Sequence, residues 1–349
     1  MIRVLVVDDS AFARKVVREV LTASPFVEVV GVARDGLEAL EKIAELRPDV
    51  ITLDLVMPHL DGLGVLQALS SAGPGAPRVI VVTASDAESD LGIAALQAGA
   101  VDLVQKPTAL ATGRLYELGA ELIAKVQLAS AILPRPPAAA SPTTLEAAAA
   151  TRASPTASAV HGSRLLAIGT STGGPQALTR LFTELPADLP VPVAVVVHMP
   201  VGYTEALAHR LDQLSRLSVV EARDGLVLRP GMAVIAQAGL HLRVRDNGGE
   251  LRASLGVEPT NVAHRPSVDE LFASAAGALG AAALGVVLTG MGEDGLAGAR
   301  QLHARGSRVL VEAESSCVVY GMPRRVREAG LALAEVPLES MTAAIVHWL

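Results

Sequence analysis

A serine in a glycine-bracketed turn is the first group in this chain that could do chemistry. Gly169-Thr170-Ser171-Thr172-Gly173 fits the pattern G-x-S-x-G. An apolar run, Leu165–Ile168, leads into it, and a helical pattern, Gln176–Leu185, follows. A serine so placed can attack an acyl carbon if a base takes its proton, and the helix N-terminus favours the developing oxyanion. A phosphate-cradling turn of the dinucleotide type uses similar residues. That alternative lacks its acid, because the next apolar strand, Val193–Val197, runs into His198. No Gly-Lys-Ser/Thr follows, which excludes a Walker P-loop. Of the eight histidines only His198 sits directly after an apolar strand. His209 reads as the exposed face of a helix, His241 lies within a strand, and His264, before Arg265-Pro266, could line a pocket. A histidine base needs an orienting acid. The strand Gly285–Leu288 opens into Thr289-Gly290-Met291-Gly292-Glu293-Asp294-Gly295, where Asp294 could serve and Glu293 is its rival. The order Ser…His…Asp differs from the Ser…Asp…His order of the α/β-hydrolases and disfavours that fold.

A second constellation lies in the first third. Asp8 and Asp9 follow the first apolar strand, Asp54 the third; Thr83 ends the fourth, and Lys106 follows the fifth and precedes Pro107. In a doubly wound sheet these side chains converge on one rim. Carboxylates at one point repel unless a cation sits among them, and oxygen ligands with open water positions suit Mg²⁺. A carboxylate beside Mg²⁺ and a lysine can attack phosphorus and become an aspartyl phosphate, with Lys106 and the Thr83 hydroxyl holding the new phosphoryl oxygens.

The elements that must position these groups are short strands alternating with helical patterns. Strands are expected at Arg3–Val7, Val27–Val32, Val50–Leu53, Arg78–Val82 and Val101–Val104, with helices such as Ala11–Leu21, Leu37–Leu46 and Gly113–Leu128. Continuous apolar strands of this kind form parallel sheets covered on both faces, with sites at the strands' carboxyl ends. Residues 131–162 break the pattern: 23 of the 32 are Ala, Pro, Ser or Thr, too little apolar surface to offset ordering, so a linker is expected. The alternation then resumes, with strands at Leu165–Ile168, Ala194–Val197, Met232–Ile235, Leu240–Val244, Gly285–Leu288 and Arg308–Val311, and a hairpin turn at Asp246-Asn247-Gly248-Gly249. The expected fold is α/β: two doubly wound parallel-sheet domains, the first flavodoxin-like, the second Rossmann-like with an antiparallel hairpin. The divisions are a first domain at 1–123, a linker at 124–161 made of a helix end and the Ala/Pro-rich segment, and a second domain at 162–349.

Composition excludes several classes. A net charge of −7, and −2 over residues 163–349, disfavours general nucleic-acid binding. The single cysteine, Cys317, excludes an intramolecular disulfide and a multi-cysteine metal site. The N-terminus meets two acids after a few apolar residues, unlike a signal peptide. Residues 271–292 carry no charge, but their Ala, Gly, Ser and Thr content reads as a helix, Val268–Leu279, followed by a buried strand. A cytoplasmic protein without membrane insertion is expected.

The motifs V-V-D-D-S (6–10), L-D-L-V-M-P (53–58), D-G-L (61–63), V-T-A (82–84) and K-P (106–107) make residues 1–123 similar to response-regulator receiver domains. The resemblance implies Asp54 as phospho-acceptor, Mg²⁺ held by Asp8, Asp9, Asp54 and the Val56 carbonyl, and a histidine kinase as phosphodonor. Receivers usually carry Tyr or Phe three residues before the lysine; here that residue is Leu103. Residues 162–349, through G-T-S-T-G-G-P-Q-A-L, V-H-M-P, L-R-P-G, H-R-P-S-V-D-E-L-F, L-T-G-M-G-E-D-G and C-V-V-Y-G-M-P, resemble the CheB-type protein-glutamate methylesterase family. That resemblance implies Ser171 as nucleophile, His198 as base, Asp294 as orienting acid, an oxyanion hole from backbone N–H groups near Thr172 and Met291, and a structural role for Cys317. It implies hydrolysis, without a cofactor, of glutamyl methyl esters on methyl-accepting chemotaxis receptors, with deamidation of receptor glutamines, under control of the receiver. Val197 stands where the family often has glutamine. Two other readings stay open: a receiver joined to a ligand- or nucleic-acid-binding module, and a stand-alone hydrolase of small esters.

Overall fold

The computed structural model describes residues 1–73, 75–83, 89–106, 112–132 and 164–349, with backbone alone for 112–118. Ala84, Pro107 and residues 133–161 of the predicted linker lie outside the described residues.

The first half runs β1 (Ile2–Val7), α1 (Ala11–Thr22), β2 (Val27–Ala33), α2 (Gly36–Leu46), β3 (Val50–Leu53), α3 (Gly62–Ser71), β4 (Arg78–Thr83), α4 (Ser89–Gln97), β5 (Asp102–Gln105) and α5 (Thr112–Ala131). All pairings are parallel, in the order β2-β1-β3-β4-β5. Val and Ile fill these strands because their branched side chains suit a sheet packed on both faces. Ser10, Asp35 and Asp61 start α1, α2 and α3, each side chain accepting a hydrogen bond from the helix's first turn. Val126 and Ala129, in the helix end counted with the linker, are buried against this sheet, and α5 runs to Ala131, three residues past the helix expected from the sequence.

The second half runs β6 (Leu165–Thr170), α6 (Gly174–Glu184), β7 (Val193–Val197), α7 (Tyr203–Leu214), β8 (Ser218–Glu221), β9 (Met232–Ile235), β10 (His241–Asn247), β11 (Glu250–Gly256), α8 (Val268–Leu279), β12 (Ala283–Val287), α9 (Leu296–Ala304), β13 (Arg308–Glu312), α10 (Met322–Glu328), β14 (Ala334–Val336) and α11 (Leu338–Trp348). Seven strands form a parallel sheet, β14-β13-β12-β6-β7-β9-β8. From β6 the chain builds first toward β8 and later returns to build toward β14. The crevice beside the carboxyl end of β6 is therefore a topological switch point, where such sheets place their sites. The hairpin β10–β11 pairs antiparallel as a separate ribbon, and the expected turn closes it with Gly248 and Gly249 both at positive φ.

The edge strands β8 and β14 are absent from the sequence expectation. Each is short, and only Val219 and Val336 in them are buried, so neither leaves a strong pattern. The strand expected at Gly285–Leu288 begins two residues earlier and ends at Val287. Among the described residues no helix is long and apolar enough to cross a membrane.

The two halves pack together. One buried apolar cluster runs from Ile93, Leu96 and Leu103 to Leu178, Tyr203 and Leu207. Helix α4 lies against α6 and α7, and the Gln176 amide donates to the carbonyls of Leu96 (2.9 Å) and Ala100 (2.7 Å) at the end of α4.

Candidate active site

The switch-point crevice brings Ser171, His198 and Asp294 to one rim. Ser171 sits in the turn between β6 and α6; its N–H donates to the Thr289 carbonyl (3.0 Å), and its carbonyl accepts from Gly174 (2.7 Å). Gly173, at φ 79°, takes the left-handed conformation that lets the chain turn straight into the helix. His198 follows β7, and its N–H donates to the carbonyl of Thr170, the residue before the serine (3.2 Å). Asp294 follows β12, the neighbour of β6 on the other side.

His198 Nε2 lies 2.8 Å from Asp294 Oδ2, with both side chains about nine-tenths buried. The carboxylate accepts, so Nε2 carries the proton and Nδ1 holds the lone pair. Nδ1 is buried and has no hydrogen-bond partner among the described residues. A buried, unpartnered ring nitrogen is the form a proton-accepting base takes before its partner moves in. His264 lies flat on the His198 ring, centroids 4.1 Å apart and planes 18° from parallel. The rival Glu293 is exposed and faces Arg325 at 3.9 Å.

Asp294 is held by the N-terminus of α8. Oδ1 accepts from Ser267 Oγ (2.9 Å) and Asp269 N (3.0 Å); Oδ2 accepts from Val268 N (2.7 Å). Burial raises the affinity of this carboxyl for a proton. The His198 hydrogen bond and the backbone donors offset burial and hold Asp294 well below the usual carboxylate range. Sequence reasoning missed these supports. The signal was present in Ser267-Val268-Asp269-Glu270, a capping box before an apolar run, and the Ser267 side chain does accept from Glu270 N. Burial and the nearby Asp294 push Asp269 up to about 6, while its carboxylate accepts from Gly295 and Gly298.

The loop after β12 is pinned from behind. Thr289 N–H donates to the fully buried Glu312 (2.8 Å), and Thr170 Oγ1 donates to the Thr289 carbonyl (2.7 Å). Gly290 approaches the serine so closely that a Cβ there would lie 2.8 Å from Ser171 Cβ and would also strike Met322 Sδ. Gly290→Ala should therefore shift the serine by a few tenths of an ångström, costing roughly 1–3 kcal/mol of stability and up to about 10²-fold in turnover. Denaturant unfolding and kcat on the same preparation check this. Thr172, next to the serine, is buried, and Met291 is exposed on the loop that follows β12. Cys317 is half-buried, and burial with Glu312 next in effect pushes its thiol far above the usual range, which leaves it unreactive.

The acidic pocket of the first half is equally well assembled. Lys106 Nζ bridges Asp8 Oδ2 (2.7 Å) and Asp54 Oδ2 (2.9 Å), and Lys106 N–H donates to the Thr83 carbonyl (2.6 Å). Carboxylate oxygens of Asp8, Asp9 and Asp54 all lie within 4.8 Å of one another. Burial raises Asp54 to about 6; Lys106 pulls against this, and Asp8 adds to it. Val56, two residues past Asp54, has an exposed side chain. Leu103 is buried in the apolar cluster that joins the halves.

The serine turn meets the receiver across the interface, at the start of β5. Thr172 Oγ1, next to the serine, donates to Asp102 Oδ2 on β5 at 2.5 Å. Lys125 of α5 binds the other Asp102 oxygen (3.1 Å) and the Leu103 carbonyl (2.8 Å). Val318, which a Cβ on Gly173 would strike, packs on the apolar cluster of β1, β4 and α5.

Fold and sites together define a two-domain α/β protein in which a receiver-type acidic pocket is joined to a Ser–His–Asp cluster. Residues 4–115 match the response regulator receiver domain, and residues 166–345 match the CheB methylesterase family. The protein-glutamate methylesterase/protein-glutamine glutaminase 5 of Myxococcus xanthus is 60% identical over 344 residues, covering 99% of this chain and 97% of that protein. The protein-glutamate methylesterase/protein-glutamine glutaminase of Geobacillus kaustophilus is 46% identical, covering 99% of this chain and 98% of its own. The crystal structure of the Thermotoga maritima CheB methylesterase catalytic domain matches with a TM-score of 0.53 at 37% identity, over 54% of this chain and all of that one. The chain therefore belongs to the CheB methylesterase family, with a response-regulator receiver domain ahead of its methylesterase domain.

Proposed function

We propose that the protein is a receiver-controlled serine hydrolase acting on γ-glutamyl methyl esters of methyl-accepting chemotaxis receptors. The products are glutamate and methanol; receptor glutamines give glutamate and ammonia. The observation that carries this reading is the His198–Asp294 bond through Nε2, which leaves a buried, unpartnered Nδ1 beside the serine turn.

His198 Nδ1 takes the Ser171 Oγ proton as Oγ bonds to the ester carbonyl carbon. Backbone N–H groups of the turns around Thr172 and Met291 receive the oxyanion, and losing one such donor typically costs about 2.7–4 kcal/mol of barrier. As the C–O bond to the methoxy group breaks, His198 returns the proton and methanol leaves. Water then repeats the sequence on the acyl-serine, releasing the carboxylate and restoring Oγ–H. Asp294 stays ionised throughout and stabilises the imidazolium. No cofactor enters these steps. The relatives' names state the same pair of activities for those proteins.

Asp54 is the phospho-acceptor in this reading. Its carboxylate oxygen bonds to phosphorus as the donor's bond breaks, the donor being a histidine kinase or a small acyl phosphate, and Lys106 and Thr83 hold the phosphoryl oxygens. The three clustered carboxylates, with exposed Asp9 leaving room for water, fit a hard divalent cation. Bound there by Asp8, Asp9, Asp54 and the Val56 carbonyl, Mg²⁺ would offset the negative charge of acceptor and phosphoryl group. The unphosphorylated receiver covers the serine rim through Asp102–Thr172 and Gln176, and phosphorylation releases it. A shift from 1:99 to 99:1 open needs about 5.5 kcal/mol of differential stabilisation. The chain divides as a receiver at 1–123, a connecting segment at 124–161 made of the end of α5 and the Ala/Pro-rich stretch, and a catalytic domain at 162–349, in the cytoplasm.

Methanol release from methylated receptor membranes, compared with hydrolysis of small acetyl esters, tests the substrate. Receptor-dependent release supports this reading. Equal turnover of small esters, with none from receptor, supports a stand-alone esterase instead.

A further inference from the structure

A contact between Thr83 and Tyr203 reaches from the acidic pocket to the helix that follows His198. Thr83 ends β4 at the rim of the acidic pocket and is fully buried; its carbonyl accepts from Lys106 N–H. Tyr203 is the first residue of α7, five residues past His198, and is also fully buried. Its hydroxyl donates to Thr83 Oγ1 at 3.2 Å. Gly92 of α4 makes the room for it, since a Cβ there would lie 2.5 Å from Tyr203 Cε1. A tyrosine of the catalytic domain thus packs on α4 of the receiver, with its polar tip on a pocket hydroxyl. The receiver's own Leu103, on the adjacent strand β5, is apolar and offers no such group.

We propose that Tyr203 is the residue through which the catalytic domain senses the state of Asp54, by way of the Thr83 hydroxyl. This inference rests on the receiver-controlled reading above. A phosphoryl group on Asp54 brings three acceptor oxygens and a charge of about −1.5 to −2. A hydrogen bond to a charged acceptor is roughly twice as strong as one between neutral groups, so the Thr83 side chain rotates about χ1, carrying Oγ1 toward the phosphoryl oxygens and away from Tyr203. The bond from Tyr203, which favours the docked arrangement, then weakens. Tyr203 N–H is tied to the Pro200 carbonyl (3.3 Å), within the turn that begins at His198, so undocking at Tyr203 uncovers the rim that holds the base.

Full-length wild type and Tyr203→Phe test this, brought to equal Asp54 phosphorylation with acetyl phosphate and Mg²⁺ and verified by intact mass. Phenylalanine keeps the ring packed on α4 and removes only the hydroxyl. One hydrogen bond to docking corresponds to a roughly 2–12-fold change in the docked population. Methanol release by unphosphorylated Tyr203→Phe should therefore rise about 2–12-fold, with the phosphorylated rate within twofold of wild type. Hydrogen exchange in α4 should quicken in the unphosphorylated variant. Unchanged basal rate and unchanged stimulation overturn the proposal. So does an equal rise in both states, which would place the effect in catalysis rather than in coupling. If the phosphorylated wild type is itself no faster, receiver control and this inference fall together; if wild type responds and Tyr203→Phe responds equally, only the inference falls.

Discussion

Ser171→Ala should lower methanol release by about 10⁶-fold while leaving the protein folded. The figure follows from the way a nucleophile–base pair acts as a unit: removing either member of such a cluster costs about as much as removing all of it. Ser171 is only half-buried, and its backbone bonds to Thr289 and Gly174 survive the substitution, so the unfolding free energy should move by less than about 0.5 kcal/mol. While the receiver is docked the neighbouring hydroxyl offers no substitute. Thr172 Oγ1 is committed to Asp102, and its side chain is buried at the interface. Steady-state kinetics beside a denaturant melt checks this. Activity surviving in Ser171→Ala and lost in Thr172→Val would move the nucleophile by one residue.

Asp294→Asn should cost about 10⁴-fold in turnover, the scale for a triad whose acid no longer fixes the histidine tautomer. An asparagine oxygen can still accept one of the α8 donors. Its NH₂ group, however, must face another donor: Val268 N–H, Asp269 N–H, Ser267 Oγ–H or His198 Nε2–H. Leaving one buried donor unpaired adds about 1–3 kcal/mol of destabilisation. The stability difference also carries a pH signature. Asp294 is held below its unfolded value, so its contribution is fully present above about pH 4 and is lost as the pH falls further, toward the folded-state value. Wild type and Asp294→Asn should therefore converge in stability in acid. A gap that stays constant from pH 7 to pH 3 would contradict the assignment.

Much of this was readable from the residues, for physical reasons. Parallel strands buried on both faces leave unbroken Val/Ile/Leu runs, so the strands of both sheets that touch the sites stand out. Site residues at strand ends follow from the same rule, and Ser171, His198, Asp294, Asp8, Asp54 and Lys106 all sit there. What escaped is contact between residues far apart in sequence. The cradle of α8 around Asp294 joins residues about 26 apart, and neither the choice of Nε2 over Nδ1 nor the stacking of His264 leaves a local pattern. The edge strands β8 and β14 bury too little to show. Interdomain contacts were the least readable. The sequence reading singles out neither Asp102 nor Tyr203, and only the packed structure places one on Thr172 and the other on Thr83.

The central claim is that ester hydrolysis at Ser171 is governed by Asp54. The most direct measurement is methanol release from methylated receptor membranes by full-length wild type and Asp54→Asn, each with and without acetyl phosphate and Mg²⁺. The account predicts that phosphodonor raises the wild-type rate severalfold or more and leaves Asp54→Asn at the basal rate. An equal rise in both proteins, or no rise in wild type carrying phosphorylated Asp54, would contradict it.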